Sequence, residues 1–72
     1  MDFTIVIEQD EDGIYIAEVP ELEGCYTQGK TLQEVVERVK EAIEVCLEEG
    51  ADIVPRKFIG IQRVQVGESL SA

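Results

Sequence analysis

The 72-residue sequence has no histidine, no tryptophan and only two cysteines. Without histidine, the Ser-His-Asp and Cys-His arrangements of nucleophilic enzymes are excluded. Cys25 and Cys46 stand in unrelated contexts without CxxC spacing, so no zinc site is predicted. We expect two reduced thiols, and a single Cys25–Cys46 disulfide is the alternative. The sequence predicts no catalytic residue, no metal and no cofactor, and therefore a protein that is not an enzyme.

Long apolar runs are also missing. No stretch approaches the roughly 20 residues that a membrane-spanning helix needs. The first residues, Met1 to Thr4, have neither the basic stretch nor the apolar core of a signal peptide. We therefore expect a cytoplasmic protein that does not bind membranes.

Positive charge is scarce, since 6 bases stand against 16 acids for a net charge of −10. The imbalance is uneven along the chain. Residues 1–52 carry a net −12, and residues 53–72 carry a net +2. The negative charge of residues 1–52 repels phosphate groups, so direct nucleic-acid binding is not expected. This charge suits a basic protein partner, and the alternative is that it serves only solubility.

The length allows one domain, residues 1–72, with a core over about 3–66 and a frayed tail at 67–72. A domain of this size buries only about 60% of the surface that its unfolded chain exposes. Because disulfides and metals are not expected, self-association is the predicted reinforcement.

Three short segments have the alternation and composition of β-strands. Residues 3–8 alternate at period two, and residues 14–19 predict the returning strand of a hairpin. The turn between them closes on Asp12-Gly13, where glycine can take a positive φ. Residues 25–28 predict a third antiparallel strand.

A helix is predicted from about Leu32 to Glu49. Thr31 and Glu34 form a capping box, in which each side chain accepts a free backbone N–H, and Gly50 is a typical stop. Apolar residues recur at three- and four-residue spacings and form one stripe. The stripe consists of Leu32, Val35, Val36, Val39, Ala42, Ile43, Cys46 and Leu47.

Residues 58–66 predict a final strand with apolar side chains on both faces. Phe58, Val64 and Val66 share one face, and Ile59 and Ile61 share the other. The predicted order is β-β-β-α-β, an α+β fold. It is a three-stranded antiparallel meander with a fourth strand parallel to the first and one helix on one face.

The other sheet face has nothing in the chain to cover it. Val6, Ile59 and Ile61 are expected there, and an uncovered apolar face predicts a homo-oligomer, a dimer or a tetramer. Acidic residues at two turns are the candidates for contact with a basic partner. They are Asp10, Glu11, Asp12, Glu21 and Glu23. Residues 10–12 are interpreted as a solvated tip, because a Ca²⁺ loop needs ligands over a dozen residues.

Four segments together resemble the HicB-like antitoxin family, which shows the pattern DGxY, then PxLxGCx(T/S)QGxTxxE, then EAI. The matching segments are residues 12–15, 18–25, 27–34 and 39–44, and the resemblance covers about residues 3–66. It implies a partial ribonuclease-H-like fold without nuclease activity, and oligomers. It also implies binding to a HicA-type toxin, a small basic protein that cleaves mRNA and is silenced when its active site is covered.

The sequence departs from the family pattern in two respects. Val36 lies close to where the family usually has alanine, which is a detail of packing. Many members also continue into a DNA-binding domain, whereas this chain stops at Ala72, so we expect a short stand-alone member that does not bind DNA. Two alternatives stay open. One is a homo-oligomeric structural or regulatory module without a toxin, and the other is a metal-dependent nuclease using Asp10 and Asp12.

Overall fold

A computed structural model describes residues 1–67 as three strands followed by one helix. The strands are β1 (Val6–Gln9), β2 (Tyr15–Glu18) and β3 (Tyr26–Gly29), and the helix is α1 (Leu32–Glu48). This confirms the α+β class, the antiparallel meander and the predicted helix.

The sheet has the order β1-β2-β3, with both pairs antiparallel. Ile7 lies opposite Ala17 in the register. Ala17 is fully buried, so this row of residues faces the helix. In the neighbouring row, Val6 pairs with Glu18 and Glu18 with Tyr26. Because side chains alternate along a strand, this second row lies on the face away from the helix.

One half of the predicted capping box is present at the start of α1. Thr31 Oγ1 accepts a hydrogen bond from the Glu34 amide at 3.0 Å. The Glu34 carboxylate accepts from the Lys30 amide at 2.9 Å, one residue before the predicted partner. The helix ends at Glu48, and Gly50 two residues later has a φ of 83°, a left-handed conformation that glycine adopts without strain.

The core is small and lies between α1 and part of the sheet. The helix packs on β3 and β2, not on β1. Six buried residues form the centre of this core. They are Ala17, Val19, Leu22, Cys25, Val35 and Val39. Phe3 and Ile5 pack against the edge of this cluster and stay partly exposed. One helix therefore covers about two of the three strands.

The predicted fourth strand is wrong as a strand of this chain. Residues 54–67 form neither helix nor strand, and no backbone hydrogen bond joins residues 55–67 to the rest of the described chain. The chain is anchored just before this segment, by a bridge between Leu22 and Ile53 and a 2.8 Å bond from the Val54 amide to Glu21 O.

After this anchor, residues 56–60 pass close to Thr4 and Val6, with which they line a cavity, but no backbone hydrogen bond pairs them with β1. A local apolar pattern predicts that a segment can form a strand, but it does not specify which edge the segment reaches. Of the predicted frayed tail, residues 68–72 lie outside the described residues.

Replacing Gly29 by alanine should destabilise the fold. A Cβ at this position would lie 2.9 Å from the Val35 backbone nitrogen, where only backbone movement could relieve the clash. We expect a loss of about 1–3 kcal/mol in the free energy of unfolding, measured by urea titration. Gly60→Ala is the control, because nothing lies within 4 Å of the added carbon. Equal unfolding midpoints for the two variants would contradict the close approach.

Candidate partner-binding surface

The acidic candidates fall into two groups at opposite ends of β2. Residues 10–12 lie in the turn before β2, and Glu21 and Glu23 lie in the turn after it. Residues 14–19 separate the groups by about 20 Å of extended chain, at about 3.3 Å per residue. The fold therefore presents two acidic surfaces, not one continuous rim.

At the hairpin tip, Asp10 has a structural role. Its Oδ1 accepts hydrogen bonds from the amides of Asp12 at 2.9 Å and Ile14 at 3.0 Å. An Asx turn of this kind fixes the backbone that leads into Gly13, which has a φ of 83°. Glu11 and Asp12 are exposed and leave the negative charge of the tip accessible.

Glu21 is the one buried charged residue among those described, with 8% of its surface exposed. Its two carboxylate oxygens lie 3.1 and 3.2 Å from the Thr4 amide, which donates to them. Its backbone oxygen accepts from the Val54 amide. Glu21 thus ties the segment before β1 to the chain after α1, whereas Glu23 is exposed.

A cleft of about 400 Å³ opens beside Glu23. Glu18 and Tyr26 also line it, and both are exposed residues of the sheet face opposite the helix. Arg56 is a basic residue in the same lining. The cleft therefore combines two accessible carboxylates, an exposed aromatic ring and one guanidinium.

Sequence reasoning missed Glu18 and Tyr26 as candidates. The signal that could have found them is the alternation of the strands. Glu18 directly follows the buried Ala17, so it must point to the opposite face. Antiparallel pairing then places it next to Tyr26.

The predicted oligomer residues are accessible. Val6 is 39% exposed, Ile59 84% and Ile61 82%. Val6 and Ile59 line one shallow cavity of about 250 Å³ on the sheet face opposite the helix. Whether they contact a second subunit stays a prediction.

The two cysteines are free thiols, Cys25 buried and Cys46 half-buried. Cys25 Sγ donates to the Ala42 carbonyl at 3.5 Å. Burial, and after it a hydrogen bond with Cys46, raises the pKa of the Cys25 thiol to about 12. A thiol that stays protonated at neutral pH is a poor nucleophile.

Residues 1–67 lack two further features. No group of three or more acidic, cysteine or histidine side chains is placed to hold a metal ion. No helix there combines the length and apolar character that crossing a membrane requires.

The domain is a thin α+β layer with accessible acidic turns, a polar cleft and exposed apolar residues. These are features of a protein-binding domain. Comparison with known families agrees with this class. The family described as "HicB_like antitoxin of bacterial toxin-antitoxin system" matches residues 3–64, and the chain belongs to that family.

Relatives of similar length occur in archaea and bacteria. A UPF0150 protein of Archaeoglobus fulgidus is 56% identical over 66 residues, which cover 92% of this chain and 96% of the relative. A UPF0150 protein of Synechocystis is 52% identical over 65 residues, covering 90% and 94%. One from Thermotoga maritima is 36% identical over 66 residues, covering 89% and 88%.

Removing the Glu21 carboxylate should destabilise the fold, because the buried Thr4–Glu21 contact would be lost. We expect Glu21→Ala to lower the free energy of unfolding by about 1–3 kcal/mol. Glu23→Ala removes the same charge from an exposed position two residues away and should change it by less than about 0.5 kcal/mol. Urea titration at equal protein concentration measures both. An effect of Glu21→Ala no larger than that of Glu23→Ala would contradict a stabilising Thr4–Glu21 contact.

Alkaline pH should destabilise the protein through Cys25. The pKa of this thiol rises from 9.0 to about 12 on folding, so the folded state holds the proton more tightly. The resulting stabilisation is complete below pH 9.0 and is lost as the pH rises through about 12. Urea midpoints measured across this window should fall more steeply in the wild type than in Cys25→Ala. Parallel curves would contradict the raised pKa.

Proposed function

We propose that this protein is an antitoxin that binds a small basic HicA-type toxin and neutralises it by covering the active site with which the toxin cleaves mRNA. The observation that carries the proposal is membership of the HicB-like antitoxin family over residues 3–64. No part of this function requires catalysis by the antitoxin itself.

The charge distribution supports a basic partner. Residues 1–52 carry a net −12, and the acids at both ends of β2 reach solvent. Opposite fields on two proteins accelerate their encounter and disfavour wrong partners. A basic ribonuclease would carry cationic groups near its active site to bind RNA, and an acidic surface competes for those groups.

The cleft lined by Glu18, Glu23 and Tyr26 is the part of this surface best suited to the contact. It is concave, its two carboxylates are accessible, and Tyr26 is 69% exposed. Protein interfaces are enriched in tyrosine at their centres, with charged groups around them. The hairpin tip, residues 10–13, offers Glu11 and Asp12 but has no aromatic residue.

Placing the toxin contact in this cleft shortens the list of acidic contact residues predicted from the sequence. Glu23 stays in the proposed site, and Glu18 joins it. The carboxylates of Asp10 and Glu21 are engaged inside the domain, at the hairpin turn and with Thr4 respectively. Their role is to hold the two acidic turns in shape.

The test is co-expression with any short basic reading frame that neighbours the gene, followed by binding and mRNA-cleavage assays. Glu18→Gln combined with Glu23→Gln should weaken toxin binding by about tenfold or more, the cost of about 1.4 kcal/mol. Binding of the wild type should also weaken as salt rises, because screening reduces the attraction.

The matched control is Glu37→Gln combined with Glu41→Gln on the exposed face of α1. It removes the same charge and should leave affinity within about twofold, since only long-range steering is reduced. A larger loss in the control, or from Glu11→Gln with Asp12→Asn, would move the site away from the cleft. Cleavage undiminished by the wild type would refute neutralisation.

One observation favours a second function, a homo-oligomeric binding module without a cognate toxin. Residues 58–66 expose five large apolar side chains, which suit self-association. If no short basic reading frame neighbours the gene, this second function is favoured.

A further inference from the structure

The outer edge of β1 is open. Within residues 1–67, β1 pairs with β2 on one side and with no strand on the other. Its unpaired N–H and C=O groups can accept another strand, and nothing in Val6–Gln9 is a proline or a lysine that would block one.

Next to the segment that precedes β1 lies a mostly apolar groove of about 610 Å³ between the start of the chain and α1. Its lining includes Phe3 and Ile5 from the segment before β1, and Val36, Ile43 and Leu47 from the helix. The groove exists because the helix packs on β3 and β2 and leaves the β1 side uncovered. A strand added to β1 would lie about 4.8 Å further out, with alternate side chains pointing to this side.

The same chain contains a segment with the properties of the missing strand. Residues 58–66 include five apolar side chains that are between 58% and 84% exposed. They make no backbone hydrogen bond to the rest of the described chain. Apolar residues on both faces suit a strand that is covered on both sides.

The segment leaves its own domain in a direction that does not fill the groove. Phe58 and Ile59 line a cavity with Thr4 and Val6. Val6 belongs to the sheet face opposite the helix, whereas the groove lies on the helix side. The molecule measures 45 × 28 × 17 Å, with a radius of gyration of 14.6 Å. A compact chain of this length would have about 11 Å.

Charge favours a second copy as the occupant. The segment and its approach carry Arg56, Lys57 and Arg63, and no acid lies between residues 53 and 67. The part of the second copy that would receive this segment, residues 1–52, carries a net charge of −12. The basic segment of one copy is therefore attracted to the acidic residues 1–52 of the other copy, although each copy has a net charge of −10.

We infer that residues 58–66 of one copy add as a strand to the open β1 edge of a second copy, and that the exchange is reciprocal. Where the donated strand extends past the start of β1, its alternate apolar side chains then fill the groove between the start of the chain and α1. Reciprocal exchange around a two-fold axis closes the assembly as a dimer and leaves no β1 edge open. This inference does not depend on the antitoxin function.

The experiment uses the purified full chain alone, so its result is independent of any toxin. Light scattering after size exclusion should give twice the 8.0 kDa chain mass. Ile61→Pro combined with Val64→Pro should give the single chain mass, because proline cannot donate to a strand ladder. Gly67→Pro, just beyond the segment, is the matched control and should stay dimeric.

Amide hydrogen exchange identifies the surface that is covered. Residues 6–9 should exchange several-fold faster in the double-proline variant than in the wild type, and residues 26–29 should exchange alike in both. Unchanged circular dichroism would show that the variant still folds. A monomeric wild type overturns the inference. This holds if its β1 amides exchange freely, if its own residues 58–66 protect them from exchange, and if they are protected only after a toxin is added. A dimer that survives both prolines overturns it as well.

Discussion

The connection between β3 and α1 constrains the rest of this structure. Only Lys30 and Thr31 separate the end of the strand from the first residue of the helix. The helix must therefore begin beside β3, and the absence of a side chain at Gly29 lets its backbone come close. A helix is about 10 Å wide and neighbouring strands lie about 4.8 Å apart, so a helix held there covers about two strands. The β1 side stays uncovered.

The core reflects this geometry. Its buried residues come from β2, the turns around β3 and the first half of α1, and those near β1 are only partly buried. Glu21 compensates on the β1 side with a polar contact, holding the Thr4 amide where apolar packing is thin. The same turn anchors the chain after the helix through Val54. One turn thus positions the chain before β1, the acidic cleft and the start of the exposed segment.

Binding by an antitoxin and exchange between copies would use different parts of the molecule. The cleft at Glu18, Glu23 and Tyr26 lies where β2 ends and β3 begins, whereas the open edge is that of β1 and the groove lies between the segment before β1 and α1. Arg56 lines the cleft and also precedes the exposed segment. The two surfaces are therefore joined by a few residues of chain, and a dimer would present two clefts.

Elements whose signals are local were predictable from the sequence. The hairpin followed from alternation around Asp12-Gly13, and the helix bounds followed from Thr31, Glu34 and Gly50, because caps and turns depend on neighbouring residues only. The acidic character of the surface likewise follows from composition. The roles of individual acids did not, since Asp10 and Glu23 look alike in sequence, and only the folded backbone shows which carboxylate meets an amide.

The tertiary structure decided what becomes of residues 58–66. Their alternating apolar pattern predicts that they can form a strand, but the segment passes Thr4 and Val6 without any backbone hydrogen bond to β1. It also decided that Glu18 and Tyr26 share a cleft, because that contact depends on strand register. Sequence determines local conformation through short-range bonds, whereas neighbours distant along the chain are set by packing of the whole domain.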